Sequence, residues 1–227
     1  MRSLILLLIS FFLIGCGPDM DDPEEIDALL EEAIDISEIQ KRGEGDQELI
    51  YAQNKQQPYT GWVKILRSNG QVEELWEVED GKWDGLYFSW AKSGAKKSEK
   101  EFKDGKEHGD ATVWHENGQM AAEMEYKDGK RHGDFTAWYE NGQKSAEGES
   151  KDGENHGDLT AWYENGQKKL EGKFENGKPF EARVWLPNGT KCLHTNLQDG
   201  NGIVVNYDDD GKESSRTEFK DGTIVSE

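Results

Sequence analysis

Turn dipeptides at regular intervals divide the chain into short segments in which apolar and polar side chains alternate. Each unit contains one Asn-Gly or related corner, such as Asn141-Gly142, and one Asp-Gly or related corner, such as Asp152-Gly153. Both dipeptides tolerate positive φ at their central positions, as the type I′ turn of a hairpin requires. From Gly61 onward a unit of about 24 residues repeats seven times, most regularly over 109–132, 133–156 and 157–180. This period predicts an all-β fold, an antiparallel β-hairpin repeat array that forms a meander of roughly 14 strands.

The register predicted for each hairpin separates the side chains into two faces. A two-residue loop at Asn141-Gly142 places Phe135 opposite Gly148, Ala137 opposite Ala146 and Trp138 opposite Ser145. One face, the small-residue face, then carries Ala111, Val113, Ala122, Met124 and Tyr126 in the preceding unit, and it is the predicted core. The other face, the ring face, carries Asp110, Thr112, Trp114, Gln119, Ala121 and Glu123. The Asp-Gly turns keep the same parity, so the faces do not swap between units.

One bulky ring recurs on the ring face in each unit after the first, where Leu66 takes its place. The candidate partner-binding residues are therefore Trp90, Trp114, Trp138, Trp162, Trp185 and Tyr207. In one interpretation these rings pack against the stems of neighbouring Lys, Glu and Thr side chains and hold the sheet together. In the other they are exposed platforms that stack on sugars or anchor a partner, since aromatic residues dominate binding hot spots.

The first residues resemble an export signal. Arg2 precedes a short apolar run, too short to span a bilayer, which predicts a cleaved signal peptide at 1–15. The ending Leu13-Ile14-Gly15-Cys16 resembles a bacterial lipobox, and the resemblance implies lipidation of Cys16 and firm attachment to a membrane. Gly17 follows the cysteine where an aspartate would favour the inner membrane, so sorting by resemblance favours the outer membrane. Residues 16–22 form an acidic tether.

A short helix is predicted between the tether and the array. Asp22 reads as the N-cap, Pro23 as the first helical residue, and Glu24 and Glu25 as acids of the first turn. Apolar residues follow at helical spacing. We therefore expect a helical cap or stalk over 23–48, because the end strand of an array exposes unpaired backbone. The repeat domain then covers 49–227.

The chain is strongly acidic, with a formal net charge of −20 that becomes −21 when Arg2 is lost with the signal. Nucleic acid is excluded as a partner because its phosphates require Lys and Arg. Such a field steers a basic protein or peptide towards the chain. Alternatively, the acidity only keeps an extended sheet soluble.

Candidate catalytic and metal-binding groups are sparse. His108, His132 and His156 recur in His-Gly-Asp, but units about 10 Å apart cannot share a zinc ion whose ligands lie about 2.1 Å away. The sequence contains no nucleophile–base signature, and its carboxylates repeat with the period, which is typical of a solvated face. With Cys16 lipidated, Cys192 has no disulfide partner and reads as a packed small residue. We expect no enzyme activity, no cofactor and no metal site.

The unit, typified by Gly-Asp-Phe-Thr-Ala-Trp-Tyr-Glu-Asn-Gly-Gln-Lys over 133–144, resembles the variant MORN repeat. Bacterial arrays of this repeat are grouped as the YwqK-like antitoxin family, and the likeness covers 51–227, including the lead-in Gln57-Pro58-Tyr59-Thr60-Gly61. The resemblance implies a non-enzymatic binder that neutralises a toxin and scaffolding at membranes. With the lipobox, it implies a lipoprotein form that acts at the cell envelope.

Together these observations predict a lipid-anchored repeat scaffold that binds a protein partner at the envelope, such as a basic toxin, in an immunity-like role. The alternative is a comb of tryptophans that binds cell wall or polysaccharide.

Overall fold

A computed structural model describes residues 18–20 and 22–226, except the side chain of residue 46. One α-helix, α1 (Pro23–Glu32), precedes the strands. The strands are β1 (Ile34–Asp35), β2 (Ile39–Arg42), β3 (Leu49–Ala52), β4 (Gly61–Leu66), β5 (Val72–Glu79), β6 (Lys82–Trp90), β7 (Lys96–Lys103), β8 (Lys106–Trp114), β9 (Met120–Lys127), β10 (Lys130–Trp138), β11 (Lys144–Lys151), β12 (Glu154–Trp162), β13 (Lys168–Glu175), β14 (Lys178–Val184), β15 (Gly202–Tyr207), β16 (Glu213–Lys220) and β17 (Thr223–Ser226).

The predicted antiparallel meander is confirmed. Strands β4 to β14 pair in chain order in one sheet, whose first edge is covered by the short parallel strand β1. Strands β15 to β17 continue the meander as a separate three-stranded sheet. These eleven and three strands make the fourteen that the period predicted. Strands β2 and β3 form a hairpin outside the meander, so the array itself begins at β4.

The Asp-Gly corners have the predicted turn geometry. At Asp152-Gly153 both residues have positive φ, +53° and +93°, and Lys151 pairs directly with Glu154. This is a two-residue loop whose twist matches that of the flanking strands. Beyond the corner, a bulge places two extra residues of β12, 157 and 158, between the pairs Glu149–His156 and Gly148–Leu159, and an even number keeps each side chain on its predicted face.

The Asn-Gly corners differ from the prediction. At 140–142 only Gly142 has positive φ, +80°, and the Tyr139 amide donates to the Gln143 carbonyl at 2.9 Å, which makes a three-residue loop. A one-residue bulge in β11 then restores the register, so that Ala137 lies opposite Ala146 as predicted but Trp138 lies opposite Lys144 rather than Ser145. The longer loop shifts the pairing by one residue and the bulge shifts it back by one, so each side chain keeps its predicted face.

Asparagine at these corners is explained by hydrogen bonding rather than by positive φ. The Asn141 Oδ1 accepts the Gln143 amide at 2.9 Å, and its Nδ2 donates to the Glu164 carbonyl of the next unit, also at 2.9 Å. Asn117 and Asn165 repeat both contacts. One side chain thus closes its own turn and joins two consecutive units.

Two further series of hydrogen bonds join consecutive units. At the Asp-Gly edge, the glycine amide of each corner donates to a carbonyl of the preceding unit at 2.7–3.0 Å, in an unbroken series from Gly81 to Gly222. At the other edge, the tyrosines that follow Trp138 and Trp162 donate to the carbonyl of the next ring residue. Tyr139 reaches Trp162 and Tyr163 reaches Trp185, both at 2.8 Å. Because the glycine series runs through all seven corners, the last sheet stays in line with the array.

Helix α1 begins where the sequence predicted, since the Asp22 side chain accepts the Glu24 amide and Pro23 is the first helical residue. It ends at Glu32, however, well before the residue 48 expected for the helical segment. The next residues, Ile34 and Asp35, are poor helix formers, and they pair instead with the first array strand. Residues 34–48 therefore contribute a strand, part of a hairpin and two single turns of 3-10 helix rather than a longer helix.

Cover over the sheet is confined to its ends. At the first end α1 packs on the ring face against Leu75, Phe88 and Trp90, and the β2–β3 hairpin packs on the small-residue face around Val63 and Trp76. At the other end Val184, Cys192, Leu197, Val204 and Val205 form a third cluster.

Between these ends the expectation that the small-residue face is a core is wrong. Of the described residues 106–175, only Ala111, Ser150 and Tyr163 are buried. Within residues 18–20 and 22–226 no second layer covers this stretch, where each strand contacts mainly its two neighbours in the sheet. Packing between neighbouring strands replaces a core. The Phe135 ring, for example, lies so close to Gly148 that a Cβ added there would be only 3.1 Å from it.

The signal peptide 1–15, the lipidation residue Cys16 and residues 17 and 21 of the tether lie outside the described residues. No helix within residues 18–20 and 22–226 has both the length and the apolar character of a membrane span.

Candidate functional site on the ring face

The structure brings four of the six predicted rings into one row. Trp90, Trp114, Trp138 and Trp162 are the last residues of β6, β8, β10 and β12, every second strand of the same sheet. Adjacent strands are about 4.8 Å apart, so consecutive rings of the row are about 9.6 Å apart. Trp185 follows β14 and bridges to Lys191 outside the regular strands.

The two ends of the predicted row are not available to a partner in the same way as its middle. Trp90 is only 6% exposed because it lies beneath α1, beside Met20 and Phe88. Tyr207 lies in the three-stranded sheet, within 3.3 Å of the Cys192 sulfur, and packs against the last buried cluster. Trp114, Trp138, Trp162 and Trp185 are half-buried, so a surface is left on each of these four rings.

Lysine side chains lie along the row. The Lys96 ammonium is 5.3 Å from the centre of the Trp114 ring, and that of Lys168 is 5.5 Å from the Trp185 ring. Each of these lysines also contacts a glutamate three residues later, Glu99 and Glu171. The stems therefore cover part of two ring faces, as the packing interpretation predicted, and the cation–π contacts add to this cover.

A second row, of carboxylates, runs parallel to the rings. Asp110, Asp134 and Asp158 lie four residues before Trp114, Trp138 and Trp162 on the same strands, and alternate residues of a strand share a face. Four residues at about 3.3 Å each place this row about 13 Å from the rings. The interpretation of the ring face as polar is thus confirmed by the observed register.

A glutamate accompanies each of these aspartates at a bulge that only glycine can form. Glu101, Glu125 and Glu149 approach Gly109, Gly133 and Gly157 so closely that a Cβ there would lie 2.2, 2.6 and 3.0 Å from the carboxylate oxygen. These glycines have φ between +68° and +79°, a region that side chains disfavour. Burial raises the pKa of Glu101, and the charge of Asp110 raises it further.

Threonines form the floor between the two rows. Thr112, Thr136 and Thr160 stand midway between the aspartate and the tryptophan of their strands. Two depressions open on this floor. One of about 310 Å³ is lined in part by Asp110, Thr112, Glu123, Glu125, Asp134 and Thr136, and one of about 380 Å³ in part by Asp158, Thr160, Glu171, Lys173, Glu181 and Arg183. We call the floor with its two flanking rows over 109–162 the ring-face trough.

The aspartate and threonine positions of the trough are apolar in the unit that α1 covers. In the second unit, beneath α1, the aspartate and threonine positions are Leu86 and Phe88, and both pack against the helix cluster. One unit later, beyond the helix, they are Asp110 and Thr112. The tryptophan is retained in both. The trough is therefore polar where none of the described residues covers it, and its positions are apolar where α1 does.

The repeated histidines lie at the corner edge of the array. The Nδ1 atoms of His108, His132 and His156 are buried without a hydrogen-bond partner, and the His108 nitrogen is 3.8 Å from an Asp128 oxygen. Among the described residues, no group of three or more His, Cys, Asp or Glu side chains is arranged to hold a metal ion. The histidines therefore supply single titratable groups, one per unit.

Cys192 is 3% exposed, as expected of a packed small residue. Burial opposes its ionisation, but hydrogen bonds from Tyr207 and Thr195 outweigh burial and lower the thiol pKa. Since the thiol is enclosed in the last buried cluster, it belongs to the packing of the array.

Sequence reasoning assigned the face of each residue but missed the trough. The periodic carboxylates were predicted to form a solvated face, and Asp110, Asp134 and Asp158 are indeed exposed. What the prediction missed is that they line one side of a trough opposite the row of rings. One signal in the sequence could have revealed it. The motif Asp-x-Thr-x-Trp begins at 110, 134 and 158, whereas the covered unit has Leu-x-Phe-x-Trp from 86.

Comparison with known proteins supports the repeat assignment. The family model of the MORN repeat variant matches residues 107–128, 131–152 and 155–179. These matches start 24 residues apart, in step with the hairpins that build the trough. No curated protein matched the chain. Residues 107–128, 131–152 and 155–179 are therefore tandem variant MORN repeats within a longer meander of β-hairpins.

Proposed function

We propose that this protein is a non-enzymatic scaffold, held at the cell envelope by a lipid on Cys16, that binds a protein partner in the ring-face trough. The observation that carries the proposal is the open stretch of ring face between α1 and the last strands. There one half-buried tryptophan and one aspartate recur in every unit. A surface repeated in this way suits an extended contact better than a reaction centre, which requires different groups converging at one point.

Three features support a protein as the partner. Half-buried tryptophans provide the aromatic anchors on which protein interfaces depend. The net charge of −20 steers basic partners towards the chain. Lysine stems lie over the Trp114 and Trp185 rings, which reduces the free ring faces that sugar stacking needs. Of the predicted binding residues, Trp114, Trp138 and Trp162 form the site, Trp185 borders it, and Trp90 and Tyr207 belong to the packing of the ends.

Within this proposal the partner class that the YwqK-like resemblance implies is a basic toxin. An exported scaffold meets such a toxin in the envelope, so the role is immunity rather than neutralisation in the cytoplasm. The firm hold of several acyl chains keeps the binder at the surface where the toxin arrives.

Site-specific photo-cross-linking tests the binding face. A photoreactive amino acid replaces Thr136 on the trough floor, and in a matched variant it replaces Ala137, the next residue, which points to the opposite face. We expect a discrete protein adduct from position 136 and little from position 137. Adding Trp138→Ala and Trp162→Ala should abolish the adduct while circular dichroism stays unchanged.

Equal protein adducts from both positions, or none from either, would refute the proposal. Loss of polysaccharide co-sedimentation in the double tryptophan variant, without any protein adduct in the parent, would establish the glycan comb instead. Anchoring is tested separately, since Cys16→Ser should move the protein from the membrane fraction to the soluble fraction.

A further inference from the structure

The ring-face trough has a repeat distance that selects the conformation of what binds there. Its rings, threonines and aspartates each recur once per two strands, or about every 9.6 Å along the array. A linear ligand lying along the trough therefore matches all three rows only if its side chains also recur on one side at about that distance.

Among regular backbone conformations, polyproline II meets this condition. It has three residues per turn and rises about 3.1 Å per residue, so every third side chain points the same way at intervals of about 9.3 Å. A β-strand repeats on one side about every 6.7 Å, and an α-helix about every 5.4 Å. Over three units the mismatch between polyproline II and the trough reaches only about 1 Å.

We propose that the trough binds a basic, proline-rich segment of the partner in the polyproline II conformation, with one turn of the ligand per MORN unit. This inference rests on the proposed function and names the chemistry of its partner. Prolines pack on the row of Trp114, Trp138 and Trp162, as proline-rich segments pack on aromatic grooves elsewhere. A lysine or arginine in each turn reaches the opposite wall, where Asp110, Asp134 and Asp158 lie.

The dimensions of the trough fit this arrangement. The two walls are about 13 Å apart, so a ligand axis over the threonine floor lies about 6.6 Å from each. An extended lysine side chain spans such a distance. Polyproline II makes no internal hydrogen bonds, so its carbonyls are free to accept from the hydroxyls of Thr112, Thr136 and Thr160. The depression of about 310 Å³ lies on this floor, and that of about 380 Å³ marks its far end.

The ends of the trough define the length of the ligand. Helix α1 covers the face at Leu86 and Phe88, and a ligand cannot continue there. At the other end Lys173 takes the place of the wall glutamate and Arg183 that of the floor threonine. Lys173 and Arg183 lie opposite Glu181 and Glu171, so the carboxylates at this end are neutralised and no longer attract a basic ligand. Three units remain, so the bound segment has about nine residues in three turns.

Fluorescence anisotropy with labelled peptides tests the period. One peptide repeats Lys-Pro-Pro four times. Its control has the same composition with the lysines at alternate positions followed by the remaining prolines, so that they point to different sides of the helix. We expect the full-length protein to bind the first peptide about tenfold more tightly, as one well-placed charge-assisted contact would provide. Equal affinities would mean that only net charge matters and would overturn the proposal.

Two carboxylate variants distinguish direct contact with the wall aspartates from general attraction by the net negative charge. Asp134→Asn removes one wall charge, and Glu140→Gln removes one charge at an exposed corner. Only Asp134→Asn should lower the affinity for the Lys-Pro-Pro peptide, by about fivefold to tenfold. Equal losses in both variants, or binding of neither peptide to the parent protein, would refute the ligand class. A protein adduct at position 136 would still support the proposed function in that case.

Discussion

The hydrogen bond from Tyr163 to the next unit provides a direct measure of how consecutive repeats are joined. The Tyr163 hydroxyl donates to the Trp185 carbonyl at 2.8 Å, and the residue is 1% exposed. Tyr163→Phe removes only the hydroxyl and leaves the partly buried Trp185 carbonyl without its donor. We expect the free energy of unfolding to fall by about 1–3 kcal/mol, the cost of an unsatisfied buried polar group.

The repeat itself offers a matched control. Tyr139, one unit earlier, makes the equivalent bond to Trp162 at 2.8 Å but is only half-buried. Water can replace the lost hydroxyl there, so Tyr139→Phe should cost less, about 0.5–1.5 kcal/mol. Urea denaturation followed by both circular dichroism and tryptophan fluorescence measures the two variants, and coincidence of the two probes checks cooperative unfolding. An unchanged midpoint for Tyr163→Phe, or a larger loss for Tyr139→Phe, would refute this account of unit coupling.

Alkaline pH gives an independent measurement of the same group. Burial, followed by the charges of Asp209 and Asp208, raises the pKa of Tyr163 to about 12. The folded state therefore holds this proton more tightly than the unfolded state, whose tyrosines ionise near 10. The stability that depends on the neutral hydroxyl is present below pH about 10 and is lost as pH rises through about 12. Tyr163→Phe should make the loss of stability in this window less steep.

Three further substitutions test other parts of the array. Burial raises the pKa of Glu77 despite the Leu86 amide that it accepts, so its charge costs increasing stability as pH rises through that pKa. Glu77→Gln should raise the thermal midpoint at neutral pH, with a gain that disappears in acid. Asn141→Asp keeps the turn acceptor but loses the donor to Glu164, and the free energy of unfolding in urea should fall by about 0.5–1.5 kcal/mol. Phe88→Ala empties the site beneath α1 and should cost about 3–5 kcal/mol, with α1 amides losing protection first in hydrogen exchange. Unchanged protection of α1 would contradict its role as a cover.

Features that depend on neighbouring residues were predictable from the sequence. The corners followed from Asn-Gly and Asp-Gly dipeptides, and the two faces followed from the period of two along each strand. The start of α1 followed from Asp22 and Pro23, whose capping chemistry is complete within one helical turn. The variant MORN unit was recognisable for the same reason, because its defining residues recur within each 24-residue unit.

Features that depend on contacts between distant residues were decided by the tertiary structure. The turn at Asn141 could not be typed from its dipeptide, because a bulge beyond the loop corrects the register and the asparagine bonds to a residue 23 positions later. Nor could local patterning identify α1 as the segment that covers Trp90. The apolar neighbours Leu86 and Phe88 distinguish this ring from Trp138 and signal a cover, but they do not specify what provides it. Whether a ring becomes core or binding surface depends on which remote segment of chain packs over it.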